Sequence, residues 1–244
     1  VSEVLTTVDG DVGTIVLNRP EQMNAITVEL GRELRDALVL LARGVNVIVI
    51  RGSAGNFCVG GDFRQLERLR AHGRDAMAPL FANFRAACDV IATLPVPVIC
   101  AVEGYAMAGG FELIQAADIV LLHENAVLSD THTRFGQIPG GGSTQRLPRL
   151  VGRQRALAHI LTGDRLTATD ALEWGLAYRV FETAEFDSGV KKFADRLAAK
   201  DAVALARVKQ LVNASQDTTL ADGLDLEFQA VLTHVVESGV GARS

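Results

Sequence analysis

Lysine is almost missing from this chain. Of its 244 residues only four are lysine, all at or after Lys191, against twenty arginines. No glycine-rich loop ends in Gly-Lys-Ser/Thr, which excludes the P-loop way of cradling nucleotide phosphates. A Gly-x-Ser-x-Gly nucleophile turn is also absent. Cysteine is scarce: Cys58, Cys88 and Cys100 are an odd number without metal-ligand spacing, as expected of packed thiols in a reducing compartment. No apolar run approaches the roughly 18–20 residues that span a bilayer; the stretch 96–102 is short and contains Pro97. The N-terminal residues lack a basic start followed by an apolar stretch, so no secretory leader is expected, and a cytoplasmic, membrane-free protein is. Excess positive charge is lacking too. A net charge of −5 and a pI near 5.6 argue against nucleic acid as the main partner.

What is present is the balance of an ordinary globular protein, 48% hydrophobic and 22% charged. A chain of this length makes one large domain, or one with a small appendage, and buries enough surface to need neither disulfide nor metal. Residues 12–18 read as a strand running into Arg19-Pro20. Residues 27–41 place apolar side chains at helical spacing, with Thr27 as the cap. Residues 45–50 form a nearly continuous apolar run, expected of a strand buried on both faces. A turn at 52–56, a short strand at 57–59 and a helix from Gly60-Gly61-Asp62 to Arg70 follow. The plan then recurs. It predicts a helix over 77–94, a strand over 98–102, a glycine-rich loop over 104–110 and a helix over 111–117. Strands at 119–122 and 177–181 enclose helices at 157–161 and 167–174. Strand–turn–helix units spaced about 45–50 residues apart indicate stacked supersecondary units with parallel strands. From about Phe186 only helical patterns remain. The expectation is a core over 1–185 and an all-helical region over 186–244.

Two loops point to chemistry. In Asn56-Phe-Cys-Val-Gly-Gly-Asp62 the double glycine lets backbone N–H groups approach a ligand. In Gly104-Tyr-Ala-Met-Ala-Gly-Gly-Phe-Glu112 glycines open a helix, whose free N–H groups attract negative charge. One amide from each loop would make an oxyanion hole for a carbonyl turning into an enolate, with Glu112 facing it. Each loop by itself is more simply read as a tight turn, and Glu112 as a simple preference of acids for helix N-termini.

Taken together, Leu17-Asn-Arg-Pro-Glu21, Asn24-Ala25, Phe57-Cys-Val-Gly-Gly-Asp62, the segment Ala101 through Leu113, Ile138-Pro-Gly-Gly-Gly-Ser-Thr-Gln-Arg-Leu147 and Leu161-Thr-Gly163 occur in this order. Nearly the whole chain resembles the enoyl-CoA hydratase/isomerase (crotonase) family. The resemblance implies an α/β fold, a spiral of repeated ββα units with a C-terminal all-helical trimerisation region, assembling as trimers or hexamers. It implies an acyl-CoA thioester as ligand, with the carbonyl between the amides of Gly61 and Gly109. Glu21, Gln22, Met23 and Val59 fall where the family holds CoA, and Arg64 could add charge there. No cofactor beyond the CoA of the substrate, and no metal, is implied.

The sequence departs from the family at one catalytic position. Family hydratases use two glutamates. Glu112 matches the first; the second, six residues before Ile138-Pro-Gly, is His132. Asp130, two residues earlier, shares its side if the segment is extended. Imidazole can act as acid or base, so a Glu112/His132 pair could hydrate the C2=C3 bond of an enoyl-CoA, the first reading. Glu112 alone could shuttle a proton between C4 and C2 as a Δ3,Δ2-isomerase. Thioester hydrolysis and decarboxylation of a malonyl-type CoA are within the family's range, and a binding protein without turnover is the non-enzymatic alternative. Met77, Phe81, Phe84 and Met107 are candidates for an acyl pocket. His72, His123, His159 and His234 offer no usable spacing. A metal pair from Asp130 and His132 finds no third ligand. The chain stops at Ser244, where many relatives continue into a tail that covers CoA, so an open CoA end is expected.

Overall fold

The computed structural model describes residues 2–238; the end of the chain, on which the expectation of an open CoA end rests, lies outside the described residues. The first unit is β1 (Val4–Asp9), β2 (Val12–Leu17) and α1 (Val28–Leu41). The second is β3 (Val47–Gly52), α2 (Phe63–Arg70) and α3 (Arg74–Thr93). The third is β4 (Val98–Val102), β5 (Tyr105–Met107) and α4 (Gly109–Ala116). Then follow β6 (Ile119–His123), β7 (Val127–Ser129), α5 (Ser143–Val151), α6 (Arg153–Thr162), β8 (Leu166–Thr167), α7 (Ala168–Glu173) and β9 (Arg179–Phe181). Three helices close the chain: α8 (Phe186–Ala198), α9 (Ala202–Ala214) and α10 (Leu220–Ser238).

A six-stranded sheet runs in the order β1-β2-β3-β4-β6-β9, parallel except for the β1–β2 pair, and a three-stranded sheet runs β5-β7-β8. The all-apolar run of β3 is explained by its two packed faces. Ile48 and Ile50 join the large core formed with α1 and α3, while Val47 and Val49 meet Ile99, Ala101, Phe186, Val190 and Ala194 on the other. The first helix of the region read as an appendage, α8, thus covers the second face of the sheet, and the 185/186 boundary falls inside a packed unit. The helices lying outside that unit are α9 and α10. Buried Lys209 ties α9 back to the core: its Nζ donates to the carbonyls of Ile91 (2.6 Å) and Val96 (2.9 Å) and pairs with Asp118 (2.7 Å).

Two strands escape the sequence pattern. In β1 only Val4 is buried, so no apolar alternation marks it; β8 has two residues. Two expectations need correction. Residues 57–59 form no strand but a single bridge, Cys58 to Ala106. The glycine-rich segment 104–110 is not all loop: β5 lies inside it, and α4 starts at Gly109, two residues earlier than expected. Gly110 permits this. A Cβ there would lie 2.1 Å from the Cys58 carbonyl oxygen, so only glycine lets the chains come that close.

Candidate functional site

The small sheet brings the site together. β5 and β7 run parallel, with Met107 opposite Ser129. Both strands end on the same side, so the residues after each emerge next to one another. After β5 come Ala108, Gly109 and the first turn of α4 with Glu112. After β7 come Asp130 and His132. Parallel pairing, not sequence proximity, makes these segments neighbours.

The loop with Gly60 and Gly61 meets them from the other side. Ile26 donates its N–H to the Gly60 carbonyl (2.7 Å) and accepts the N–H of Asp62 (2.8 Å). In an extended chain alternate residues turn their polar groups to opposite sides, so the Gly61 N–H is directed away from Ile26. Gly109 opens α4, where a backbone N–H has no intrahelical acceptor. A Cβ on Gly60 would sit 2.7 Å from that of Ala108 and 3.3 Å from the Gly109 nitrogen, so the two loops pack backbone against backbone. Ala108 holds a positive φ of 46°, a costly conformation for a non-glycine residue that sets the turn into α4.

A cavity of about 440 Å³ opens here. Glu112, His132, Gly61 and Gly109 line it, together with Glu21, Gln22, Val59 and Arg64. Met23 does not; it is 45% exposed, in left-handed backbone at the end of the turn Pro20–Gln22. Of the apolar candidates, Phe81 and Phe84 line the cavity with Leu80, whereas Met77 and Met107 do not.

Glu112 is 2% exposed. Its Oε1 accepts the N–H groups of Gly141 (2.7 Å) and Ser143 (3.1 Å), the latter at the start of α5. That leaves Oε2 directed at His132, whose Nε2 is 3.7 Å away, too far for a direct hydrogen bond and close enough for one water to touch both. Gly141 must be glycine to allow this, since a Cβ would lie 2.5 Å from Phe84 and 2.9 Å from Glu112 Oε2. Arg146 holds the loop in place by donating to the Gly141 carbonyl while pairing with Asp89. Burial pushes the Glu112 carboxyl above its usual 4.5, against the opposing effects of His132 and the two amides.

His132 does not lie in an extended segment. Thr131 curls the chain into the short 3-10 turn His132–Phe135, and the turn brings the imidazole Nδ1 to 2.6 Å from Asp130 Oδ1. Burial opposes charge on the ring, but the Asp130 hydrogen bond and the charges of Glu112 and Asp130 prevail and raise its pKa above 6.5.

Sequence reasoning missed two supporting residues. Fully buried Asn24 accepts from the Arg19 N–H (2.9 Å) and donates to the carbonyls of Ser53 (3.1 Å) and Asn56 (2.8 Å), fixing the Glu21-Gln22 turn against the 53–56 turn. Its place in the Asn24-Ala25 motif was the available signal. His159, which had no usable spacing, accepts the Asp130 N–H at Nε2 (3.1 Å); nothing in the local sequence marks it. His72 is exposed, and His123 is buried beside Phe186. Among the described residues no group of three His, Cys, Asp or Glu is placed to hold a metal ion, and no described helix is long and apolar enough to cross a membrane.

The chain matches known proteins over most of its length. The family described as enoyl-CoA hydratase/isomerase matches residues 7–239. The mitochondrial enoyl-CoA hydratase of Pongo abelii is 35% identical over 218 residues, 88% of this chain and 73% of the relative. The crystal structure of an enoyl-CoA hydratase from Polaromonas sp. JS666 superposes with a TM-score of 0.93 at 30% identity, covering 96% of this chain and 92% of that one. A Thermobifida fusca YX protein solved in complex with acetoacetyl-CoA gives 0.88 at 29% identity, covering 97% of this chain and 96% of that one.

Proposed function

This chain belongs to the enoyl-CoA hydratase/isomerase family, and we propose that it adds water across the C2=C3 bond of an enoyl-CoA with Glu112 as base and His132 as acid. The observation that carries this reading is the arrangement of Glu112 Oε2 and His132 Nε2, 3.7 Å apart in a cavity lined by Gly61 and Gly109. The thioester carbonyl accepts the two glycine N–H groups. Ionised Glu112 removes a proton from water as its oxygen bonds to C3. The C2=C3 electrons move to the carbonyl, and the resulting enolate is stabilised by amides already in place. The His132 imidazolium then protonates C2 and the carbonyl re-forms. Glu112 has gained one proton and His132 has lost one, and transfer between them restores the pair.

The directions of the two pKa shifts favour this division. A buried carboxylate of raised pKa is the better base near neutral pH, and a ring of raised pKa keeps its proton for C2. The reaction draws on these side chains and the CoA thioester alone. Of the residues that line the cavity, Glu21, Gln22, Val59 and Arg64 would meet CoA, while Leu80, Phe81 and Phe84 would meet the acyl chain. The test is incubation with crotonyl-CoA. Absorbance of the conjugated thioester should fall and 3-hydroxybutyryl-CoA should form; consumption without that product, or no consumption of crotonyl- and longer 2-enoyl-CoAs, overturns the reading.

Self-association belongs to the same proposal. Leu224, Phe228, Val231, Leu232 and Val235 form an exposed apolar stripe on α10, at the helical spacing of a buried face. A trimer or hexamer would cover it, and a monomer in sedimentation at micromolar concentration would refute that assembly.

A further inference from the structure

The residues behind His132 form a support that ordinary core packing does not call for. Segment 129–133 is fastened to α6 and the residue that ends it at three points. Ser129 Oγ donates to the Gly163 carbonyl (2.8 Å), the Asp130 N–H donates to His159 Nε2 (3.1 Å), and Thr133 Oγ1 donates to the Ile160 carbonyl (2.9 Å). His159 is itself buried between Phe111 and Trp174, with ring centroids at 5.0 and 5.9 Å. Burial lowers its pKa, so it is a neutral ring able to accept the Asp130 N–H. The carboxylate thus secured is 0% exposed and lies 2.6 Å from His132 Nδ1.

We propose that Asp130 is a positioning residue for this reaction: its buried carboxylate fixes the His132 ring with Nδ1–H toward itself, presents Nε2 to Glu112 and C2, and supplies the negative charge against which the imidazolium forms. An ionised carboxylate only accepts hydrogen bonds, so the neutral ring must keep its proton on Nδ1 and titrate at Nε2. The groups that act on the ring are Glu112 from α4 and Asp130 from the loop after β7. His159 from α6 and the Ser143 hydroxyl at the start of α5 face Asp130, not the ring. Arg134, two residues on, is directed to Asp164 at 3.9 Å. The inference deepens the hydratase reading and rests on it for its kinetic part only.

The test follows the His132 ring by 15N NMR of histidine-labelled protein, with its signals identified by their loss in His132→Gln. In the wild type Nδ1 should stay protonated while Nε2 titrates with a pKa above 6.5. In Asp130→Asn the charge is lost, and proton affinity at His132 should fall tenfold or more. The kcat for crotonyl-CoA should drop about 10–100-fold, the size expected when a supporting hydrogen-bond partner is removed, with KM changed less than twofold. Because His132 must be protonated, the high-pH limb of the kcat profile should move to lower pH. Asp130→Glu should recover part of both effects. A wild-type ring whose neutral form carries its proton on Nε2 overturns the proposal, even if Asp130→Asn does not fold. So does an Asp130→Asn protein whose His132 titrates as in the wild type, or whose loss lies in KM. If no enoyl-CoA is hydrated, the hydratase reading fails while the NMR result still decides the role of Asp130.

Discussion

Glu112→Gln lowers kcat for crotonyl-CoA hydration by about 10²–10⁴-fold, the contribution of a general base, and leaves affinity for the CoA ester within a few-fold. Glutamine keeps the length of the side chain. Its carbonyl oxygen can still accept the Gly141 and Ser143 N–H groups now taken by Oε1, so the loop over 141–143 stays docked. What disappears is the proton-accepting oxygen facing His132. Removing the carboxylate also relieves the desolvation that raises its pKa, so the variant should be no less stable than the wild type in thermal unfolding. Single-turnover absorbance at saturating substrate, with affinity measured by calorimetry, separates the two effects. Full activity in this variant would remove Glu112 from the mechanism and with it the proposed reaction.

His132→Gln is expected to cost about 10²–10³-fold in hydration, through loss of the proton donor to C2. It also has a signature in pH. The wild-type profile should rise as Glu112 ionises, above the usual 4.5, and fall as His132 deprotonates, above 6.5. Because the two groups interact, both limbs belong to the pair. In His132→Gln the falling limb should vanish and a low plateau remain. The same variant distinguishes hydratase from isomerase. A Δ3,Δ2-isomerase moves one proton between C4 and C2 with Glu112 alone, and would keep its rate on a 3-enoyl-CoA. Loss of hydration with retained 3-enoyl-CoA isomerisation assigns His132 to water addition only. Unchanged activity on both substrates makes it a bystander and leaves the site with one base.

The Glu112 and His132 positions illustrate the limit of motif reading. The motif before α4 located Glu112, and counting back from Ile138 located His132 where the family carries its second glutamate. Whether the two side chains could act together was not legible. They are separated along the chain by a strand, a turn and another strand, and what joins them is the register of Met107 opposite Ser129. Pairing register is a long-range property, set by backbone hydrogen bonds and packing that no local window contains. The spacing of Asp130 and His132 allows a contact if the segment is extended, but the segment is not extended. The chain makes a turn there, which Thr131 begins.

The sequence by itself determined the strand–turn–helix succession, the buried faces of β3 and β4, the family, and the identities of the glycines and ionisable groups at the site. These follow from local periodicity and from residue types that few alternatives can replace, such as Gly110 beneath the Cys58 carbonyl. Tertiary structure alone decided that α8 covers the sheet, that Met23, Met77 and Met107 stay out of the cavity, and that His159 stands behind Asp130. Each of these depends on where distant segments meet. Burial, and the pKa shifts that burial imposes on Glu112 and His132, exist only once those segments have packed and excluded water.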